Sequence, residues 1–272
     1  MEETVSRFVI LGVLLMVMMR TSSAQNDSAQ TSPSTSAINP VLKSRLTKTH
    51  GCCLVLAWLF FITTSIMNAR YFKWHQLWFR VHRIFSAIAS VLMIVGLVTI
   101  LIAHQWRWTG PKIGGGSRNY RASAYHSIFG IFAIIFGWLQ PFTALLRCSN
   151  QDPARPFFNR AHQLLGMIAW ALAVATTVLA CANFSKSLTS TDNAVIAICI
   201  FLAGTLVAFI IGEVLAISLQ SKIAKPQPDT TQQLLPRTPV KTVKKFMAIV
   251  GLLYVCLIAA VSIALLCFMI LK

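Results

Sequence analysis

Histidine is the residue type whose placement in this chain indicates chemistry. Four of the six histidines, His50, His82, His126 and His162, lie near the starts of four successive apolar runs. Successive membrane spans run in opposite directions, so His50 and His126 are predicted near one face of the membrane. His82 and His162 are predicted near the other. Imidazole is a common metal ligand, and each pair could bind one metal between opposed helices of a bundle.

The kind of metal follows from the number of ligands. Two histidines make a poor structural zinc site, because zinc there takes four ligands. A haem already supplies four nitrogens, so two imidazoles complete its iron and suit it to passing electrons. A span of about 20 residues rises about 30 Å, which places the two sites roughly 20 Å apart along the membrane normal. We therefore predict two haem b groups, an outer one on His50 and His126 and a cytoplasmic one on His82 and His162.

Basic residues accompany these histidines in the sequence. Lys48 precedes the first histidine, and Arg80, Arg83, Arg121 and Arg160 lie close to the other three. Their side chains could pair with haem propionates at the level of the lipid headgroups. The alternative for each is an ordinary basic side chain that reaches from a helix end to the membrane surface.

Long apolar runs must carry these histidines. The chain is 56% hydrophobic and only 11% charged, with a mean hydropathy of +0.68. Six runs are long enough to cross about 30 Å of hydrocarbon; they cover residues 50–69, 82–104, 122–146, 160–183, 192–219 and 246–270. These runs predict an all-α membrane protein, a six-helix transmembrane bundle with a four-helix di-haem core.

The segments around these runs complete the predicted organisation. Residues 8–19 are apolar but too short to span, and the small residues that follow predict a signal peptide over 1–24, cleaved before Gln25. Residues 25–45 are predicted to be a disordered extracytoplasmic linker, because the first part of this segment is polar and rich in Ser, Thr and Pro. We expect the haem-binding transmembrane domain over 46–219, a cytoplasmic loop over 220–245 and a final helix over 246–272.

The net charge of +17 is spread over the loops at helix ends. This distribution favours lipid headgroups and small anions as partners over nucleic acid. Lys and Arg are in modest excess on the predicted inner side, and the sequons at Asn26 and Asn183 fall on the outer side. Glu213 is an acid within a span and is expected to pair with a basic residue such as Lys222. The seven cysteines form no CxxC pair and indicate no metal site.

Five stretches carry a resemblance to a known family. They are "HGCCLVLAWLF", "NARYFK", "WFRVHR", "YHSIFGIFAIIFGWLQP" and "FNRAHQLLGMIAWALA", all within residues 50–183. The segment resembles the cytochrome b-561 core, and particularly the ferric-chelate reductase branch. In that branch a soluble extracellular domain often precedes the core, whereas here the linker precedes it, so we expect that domain to be lacking.

The resemblance implies two bis-histidine haems and electron flow from cytosolic ascorbate to an outer acceptor, either a ferric chelate or monodehydroascorbate. It implies an ascorbate-dependent oxidoreductase, that is, a transmembrane ferric-chelate reductase, in the plasma membrane or an endomembrane vesicle. Arg70 and Lys73 fall where the family places basic residues and are candidates for binding ascorbate; ordinary inner-face charges are the alternative. His104 is a candidate on the acceptor side, where interfacial anchoring is the alternative. Membrane lipid is a further expected partner, and a homodimer is an alternative to a monomer.

Two other functions use the same features. A proton or metal-ion transporter would need histidines through the membrane depth and several intramembrane carboxylates, whereas the interior of the spans offers Glu213. A non-enzymatic scaffold or receptor subunit could keep the fold without the electron transfer. Ascorbate-dependent reduction kinetics separate such a subunit from an oxidoreductase.

Overall fold

Six long helices make up the described part of the chain. The computed structural model describes residues 38–149, 151–224 and 240–272, with the backbone alone for 222–224. The helices are α1 Pro40–Tyr71, α2 Trp78–Ala103, α3 Ala122–Leu145, α4 Arg155–Asn183, α5 Thr191–Ala224 and α6 Val240–Ile270. No strand occurs in these ranges. Each helix is long and apolar enough to cross a membrane, so the protein is a multi-pass integral membrane protein and the predicted all-α class is confirmed.

Five of the six helices are longer than the apolar runs that predicted them, and α3 matches its run to within one residue. Helices α2, α4 and α6 begin at Trp78, Arg155 and Val240, before the expected starts at 82, 160 and 246. The predicted loop 220–245 is helical at both of its ends, over 220–224 and from 240. The reason is that backbone hydrogen bonding continues through polar turns at the headgroups, whereas hydropathy marks only the part within hydrocarbon.

The start of α1 corrects the predicted linker. Residues 40–45 were expected to be disordered, but they form the first turns of a helix. The side chain of Asn39 accepts a hydrogen bond from the Val41 N–H (2.9 Å), and Pro40 occupies the first turn, where a missing N–H costs nothing. The predicted signal peptide and residues 25–37 of the linker lie outside the described residues.

The helices pack as three antiparallel pairs, α1 with α2, α3 with α4, and α5 with α6. Helix α6 packs on α1 and helix α5 on α4, whereas α2 and α3 touch only sparsely. The four candidate histidines all lie on α1 to α4. The α5–α6 pair therefore covers one side of the four helices that carry them.

Two clusters of buried side chains hold the bundle together. The larger cluster joins α1 to α5 and α6 around Leu59, Phe201, Ile258 and Leu265, which are almost fully buried. The smaller cluster lies within the four histidine-bearing helices and consists of Ala57, Trp58, Ala89, Met93, Ala133, Ala169 and Ala173. Alanine lets helix backbones approach closely in lipid. The four helices therefore meet through small side chains, with one tryptophan and one methionine among them.

A π-helical segment, Leu56–Ile62, interrupts α1 between its two α-helical parts. Directly after it, the Thr63 hydroxyl donates to the Trp58 carbonyl (2.8 Å) and accepts from the Trp170 indole N–H of α4 (2.9 Å). A π turn leaves a carbonyl without its usual i+4 partner. The Thr63 backbone N–H already bonds the Trp58 carbonyl in the π-helical pattern, so the Thr63 hydroxyl is a second donor to that carbonyl and ties it to α4.

Candidate functional site

His50 and His126 lie close together at the end of the bundle that the sequence predicts to be the outer one. Their ring centroids lie 6.3 Å apart and their planes meet at 68°. His50 lies on α1 and His126 on α3, so the rings meet across the bundle although the two helices are not a packed pair. The structure thus brings together the outer pair that the alternation of chain direction predicted.

Backbone carbonyls orient both rings of the outer pair. His50 Nδ1 lies 2.8 Å from the Gly96 oxygen on α2, and His126 Nδ1 lies 3.1 Å from the Thr176 oxygen on α4. A carbonyl can only accept a hydrogen bond, so Nδ1 carries the proton in each ring and Nε2 keeps its lone pair. This is the tautomer that metal-binding histidines use.

Ser65 orients His82 at the inner end of the bundle. Its hydroxyl lies 2.7 Å from His82 Nδ1 and 2.8 Å from the Ser86 hydroxyl, and its carbonyl lies 3.2 Å from the same Nδ1. His162 has His82 as an electrostatic neighbour. His162 is thus within electrostatic range of His82, and His82 has the same tautomer as the outer histidines.

His162 differs from the other three histidines. With the Gln140 amide oriented to satisfy its neighbours, Nε2 of Gln140 donates to Nδ1 of His162 (2.9 Å) and to its carbonyl (3.0 Å). Gln140 Oε1 then accepts from the Gly166 N–H (3.2 Å). In this arrangement the proton of His162 is on Nε2. Metal binding through Nε2 requires the proton to move to Nδ1 and the amide to turn its oxygen toward the ring.

The residues that hydrogen-bond the four histidine rings, called anchors below, follow one rule that the sequence did not predict. Each histidine is held by the other helix of its own antiparallel pair; the anchors are Gly96, Ser65, Thr176 and Gln140. Each of the four helices carries one histidine. Roughly 14 residues, or about 21 Å, further along the same helix lies the residue that orients a histidine of the other layer. A polar or small residue at this spacing from each histidine is the signal that could have identified them. Two layers about 20 Å apart are the result.

Of the basic residues predicted near the histidines, Arg80 and Arg83 lie exposed in the first turns of α2. Arg121 is exposed directly before α3, and Arg160 is exposed on α4. The Arg83 guanidinium lies 5.7 Å from the Phe79 ring centre.

Arg147 is a basic neighbour of the inner pair that the sequence analysis did not select. It is an electrostatic neighbour of His162, and its guanidinium lies 5.4 Å from the Phe79 ring centre of α2. Its position after the last residues of α3, at the same membrane face as His162, was the available signal.

Comparison with known proteins adds a family to this geometry. The family model described as "Eukaryotic cytochrome b561" matches residues 49–187, half of the chain. The chain belongs to the cytochrome b561 family. The matched segment contains all four candidate ligand histidines and ends with the turn after α4.

Similar curated proteins share this cytochrome b561 segment. "Ferric-chelate reductase 1" of Homo sapiens is 31% identical over 143 residues, which is 49% of this chain and 22% of that protein. The Mus musculus protein of that name is 30% identical over 145 residues, 50% of this chain and 22% of its own length. The "Putative ferric-chelate reductase 1 homolog" of Drosophila melanogaster is 30% identical over 141 residues, 48% of this chain and 20% of its length. The chain thus spans about a fifth of these relatives. No solved structure matches it.

Membership in the cytochrome b561 family implies haem b, and the outer pair fits that group. A metal–imidazole bond of roughly 2.0 Å and roughly 1.1 Å from nitrogen to ring centre place two imidazoles on one metal about 6.2 Å apart, centre to centre. The rings of His50 and His126 lie 6.3 Å apart. Within the described ranges no three His, Cys, Asp or Glu side chains converge, so each layer offers a pair of imidazoles.

At the inner end of the cytochrome b561 core, Arg70 forms a two-point ion pair with Glu213 of α5. The Nε–Oε1 distance is 2.8 Å and the Nη2–Oε2 distance is 3.0 Å. The Tyr71 hydroxyl donates to the same carboxylate (2.9 Å). Glu213 therefore pairs with a basic residue, as predicted, and that residue is Arg70 of the neighbouring helix; the side chain of Lys222, the example given, lies outside the described side chains. Lys73 is exposed just beyond α1.

At the outer end, His104 ends α2 half-buried. It has Lys43 as an electrostatic neighbour and is itself a neighbour of His50. Burial, and then the charge of Lys43, holds the pKa of His104 below its ordinary value. His104 is therefore uncharged at neutral pH and lies beside the outer pair.

Proposed function

We propose that this chain carries electrons across the membrane through two bis-histidine haem b groups, from cytosolic ascorbate to a ferric chelate or monodehydroascorbate on the outer side. The observation that carries this proposal is the 6.3 Å separation of the His50 and His126 rings. Their fixed Nδ1 protons and membership in the cytochrome b561 family support it. The names of the similar ferric-chelate reductases support the reductase activity.

The protein's own part in this function is positioning. When bound, the two haems would supply one-electron carriers with no open coordination position. Gly96 and Thr176 hold the outer imidazoles with the proton on Nδ1 and the lone pair on Nε2, and Ser65 holds His82 in the same tautomer. The two histidine layers are separated by about 20 Å, so the two proposed haem sites lie at opposite sides of an apolar interior.

Charged residues at the two ends define the proposed substrate sides. Lys73 is exposed at the inner end and free to meet ascorbate, which is an anion. Arg70 uses two of its five donors on Glu213, and its remaining donors are the proposed contacts of the anion. Arg80, Arg83, Arg147 and Arg160 at the inner layer, and Arg121 at the outer layer, are the proposed propionate partners. His104 is proposed on the acceptor side.

The deciding experiment is the visible spectrum of the purified protein with a haem count. The wild type is expected to show a reduced-minus-oxidised b-type spectrum and about two haems per chain, and His50→Ala or His126→Ala about one. His75→Ala, in the exposed loop between α1 and α2, is the matched control and should keep both. A colourless wild type from haem-replete cells, or an unchanged spectrum in His50→Ala, would contradict the ligand assignment.

A second measurement separates the reductase from a scaffold or receptor subunit. Proteoliposomes loaded with ascorbate should reduce an external ferric chelate, followed with an impermeant ferrous-iron indicator. Liposomes without the protein give the background rate. Haem-loaded protein that leaves the external chelate oxidised would contradict the reductase and favour the subunit.

A further inference from the structure

A basic cavity lies on the outer end of the bundle, on one face of α1. Its volume is about 240 Å³, and the polar residues that line it are Lys43, Ser44, Thr47, Lys48, Lys186 and Ser187. The α1 residues recur at spacings of three and four, so they share one helix face. The other two belong to the short 3-10 helix Ser185–Ser187 that follows α4. Two separate segments of the chain therefore build one site.

The charge of this cavity is of one sign. Of the residues that the structure describes, three lysines and no carboxylate line it. Among the described residues of the outer ends and loops, Asp192 is the acid, and it is not a lining residue. Lysine carries three donors on a flexible stem, and serine hydroxyls can donate to an anion. The cavity is thus suited to a small ligand with several negative charges.

Both segments that form the cavity lead directly to the outer histidine pair. Lys48 precedes His50 by two positions on α1. On the other side, the Phe184 ring packs against His126, with ring centroids 5.0 Å apart, and the 3-10 helix begins at the next residue. A ligand in the cavity would therefore sit beside the pair proposed to hold the outer haem.

His104 provides a third connection between cavity and histidine pair. It is an electrostatic neighbour of Lys43, which lines the cavity, and also of His50.

We propose that this cavity binds the outer electron acceptor as a small polycarboxylate chelate of Fe(III). The inference rests on the proposed function, and it adds the site and the chemical class of the acceptor. In the step itself the chelated Fe(III) gains one electron and becomes Fe(II). The outer haem iron loses that electron on returning from Fe(II) to Fe(III), and no bond or proton changes partner.

The binding test uses gallium(III) citrate, which has the charge and shape class of ferric citrate but accepts no electron here. Wild-type protein in phosphatidylcholine nanodiscs is titrated by calorimetry and compared with Lys43→Gln/Lys48→Gln/Lys186→Gln. Loss of three cations should weaken binding about tenfold or more, and added salt should weaken wild-type binding. Lys112→Gln is the matched control, because Lys112 is exposed on the outer α2–α3 loop but does not line the cavity. It should bind as the wild type does.

A single substitution serves as a control in case the triple variant misfolds. Lys186→Gln changes only the exposed turn and should weaken gallium citrate binding about two- to fivefold. Equal binding by the wild type and both variants would overturn the proposal. Lipid phosphate is the rival source of negative charge. If nanodiscs containing phosphatidylglycerol abolish the binding of gallium citrate, a headgroup occupies the cavity and the proposal is likewise overturned.

A kinetic test distinguishes failure of this inference from failure of the proposed function. Dithionite-reduced protein is mixed with ferric citrate or with the cation hexaammineruthenium(III), and reoxidation is followed at the haem band. The double variant Lys43→Gln/Lys186→Gln, which keeps Lys48 as a candidate propionate partner, should react with ferric citrate about fivefold more slowly than the wild type and with the ruthenium complex no more slowly. Equal slowing toward both oxidants would place the defect in the haem layer and overturn the cavity. Absence of any haem band would contradict the proposed function, while gallium binding would still report on the cavity.

Discussion

Arg70 and Glu213 join the first and fifth membrane helices by two parallel hydrogen bonds, Nε to Oε1 at 2.8 Å and Nη2 to Oε2 at 3.0 Å. The two residues lie far apart in sequence, and the side chains are 46% and 40% exposed. The pair fastens α5 to the inner end of α1, where the Tyr71 hydroxyl also donates to Glu213. It belongs to the packing of the α5–α6 pair against the histidine-bearing helices.

Glu213→Gln should therefore lower stability while both proposed haems stay in place. Removing the charge of a partly exposed pair is expected to cost about 1 kcal/mol, measured as a lower midpoint of detergent-induced unfolding. Tyr71→Phe removes only one donor to the carboxylate and should cost less. Unchanged stability together with loss of ascorbate-driven reduction would instead assign the pair to the substrate.

Thr63 and Thr64 are adjacent and buried, and replacing each by valine is expected to change the stability of the protein differently. The Thr63 hydroxyl bonds both Trp58 and Trp170, whereas the Thr64 hydroxyl has no partner within the described ranges. Thr63→Val leaves a buried indole N–H unsatisfied and should lower the free energy of unfolding by about 1–3 kcal/mol. Thr64→Val removes an unpaired buried hydroxyl and should be neutral or stabilising. Detergent-induced unfolding of the two variants, followed by tryptophan fluorescence, checks the pair; equal losses would contradict the hydrogen bonding described.

Ser65 is predicted to tune the inner layer through His82. A hydrogen bond from Nδ1 to an acceptor raises the basicity of an imidazole and so favours ferric over ferrous iron. Ser65→Ala removes the hydroxyl acceptor at 2.7 Å and should raise the midpoint potential of one haem by tens of millivolts, on the order of 60 mV for a tenfold change. Redox titration of the visible band measures this shift.

The control for Ser65 lies on α2. The hydroxyl of Ser90 bonds to the Ser86 carbonyl of its own helix, so Ser90→Ala should leave both potentials unchanged. A shift of equal size in both variants would show that Ser65 does not act through His82.

Lys43 is predicted to control the protonation of His104. Burial first, and the charge of Lys43 second, keep the pKa of His104 below its ordinary 6.5. Lys43→Gln removes the second cause, so the pKa should rise and the ring should protonate at a higher pH; NMR titration of labelled histidine checks the direction. Because the folded chain binds this proton less readily than the unfolded chain, His104 favours folding fully above pH 6.5 and this contribution declines as the pH falls below that value. Lys43→Gln should reduce the decline, and a lower pKa in the variant would contradict the contact.

Much of the fold and of the candidate site could be predicted from the amino-acid sequence alone. Six apolar runs define six helices, because lipid leaves the backbone no hydrogen-bond partner outside a helix. Because successive membrane spans run in opposite directions, each histidine can be assigned to one membrane face before the packing of the helices is known. The helix starts could not be placed in this way, as Pro40 and Asn39 show, because polar turns at the headgroups carry no hydropathy signal.

The sequence by itself determined the number of spans, the two layers and the histidine pair that each layer contains, since these depend on length, hydropathy and chain direction. Only the tertiary structure decided that Gly96 and Thr176 orient the outer rings, that Gln140 sets the proton of His162, and that Glu213 pairs with Arg70. The physical reason is that hydrogen bonds and ion pairs depend on the rotation and depth of neighbouring helices. Those are set by side-chain packing between distant segments, and no local pattern encodes them.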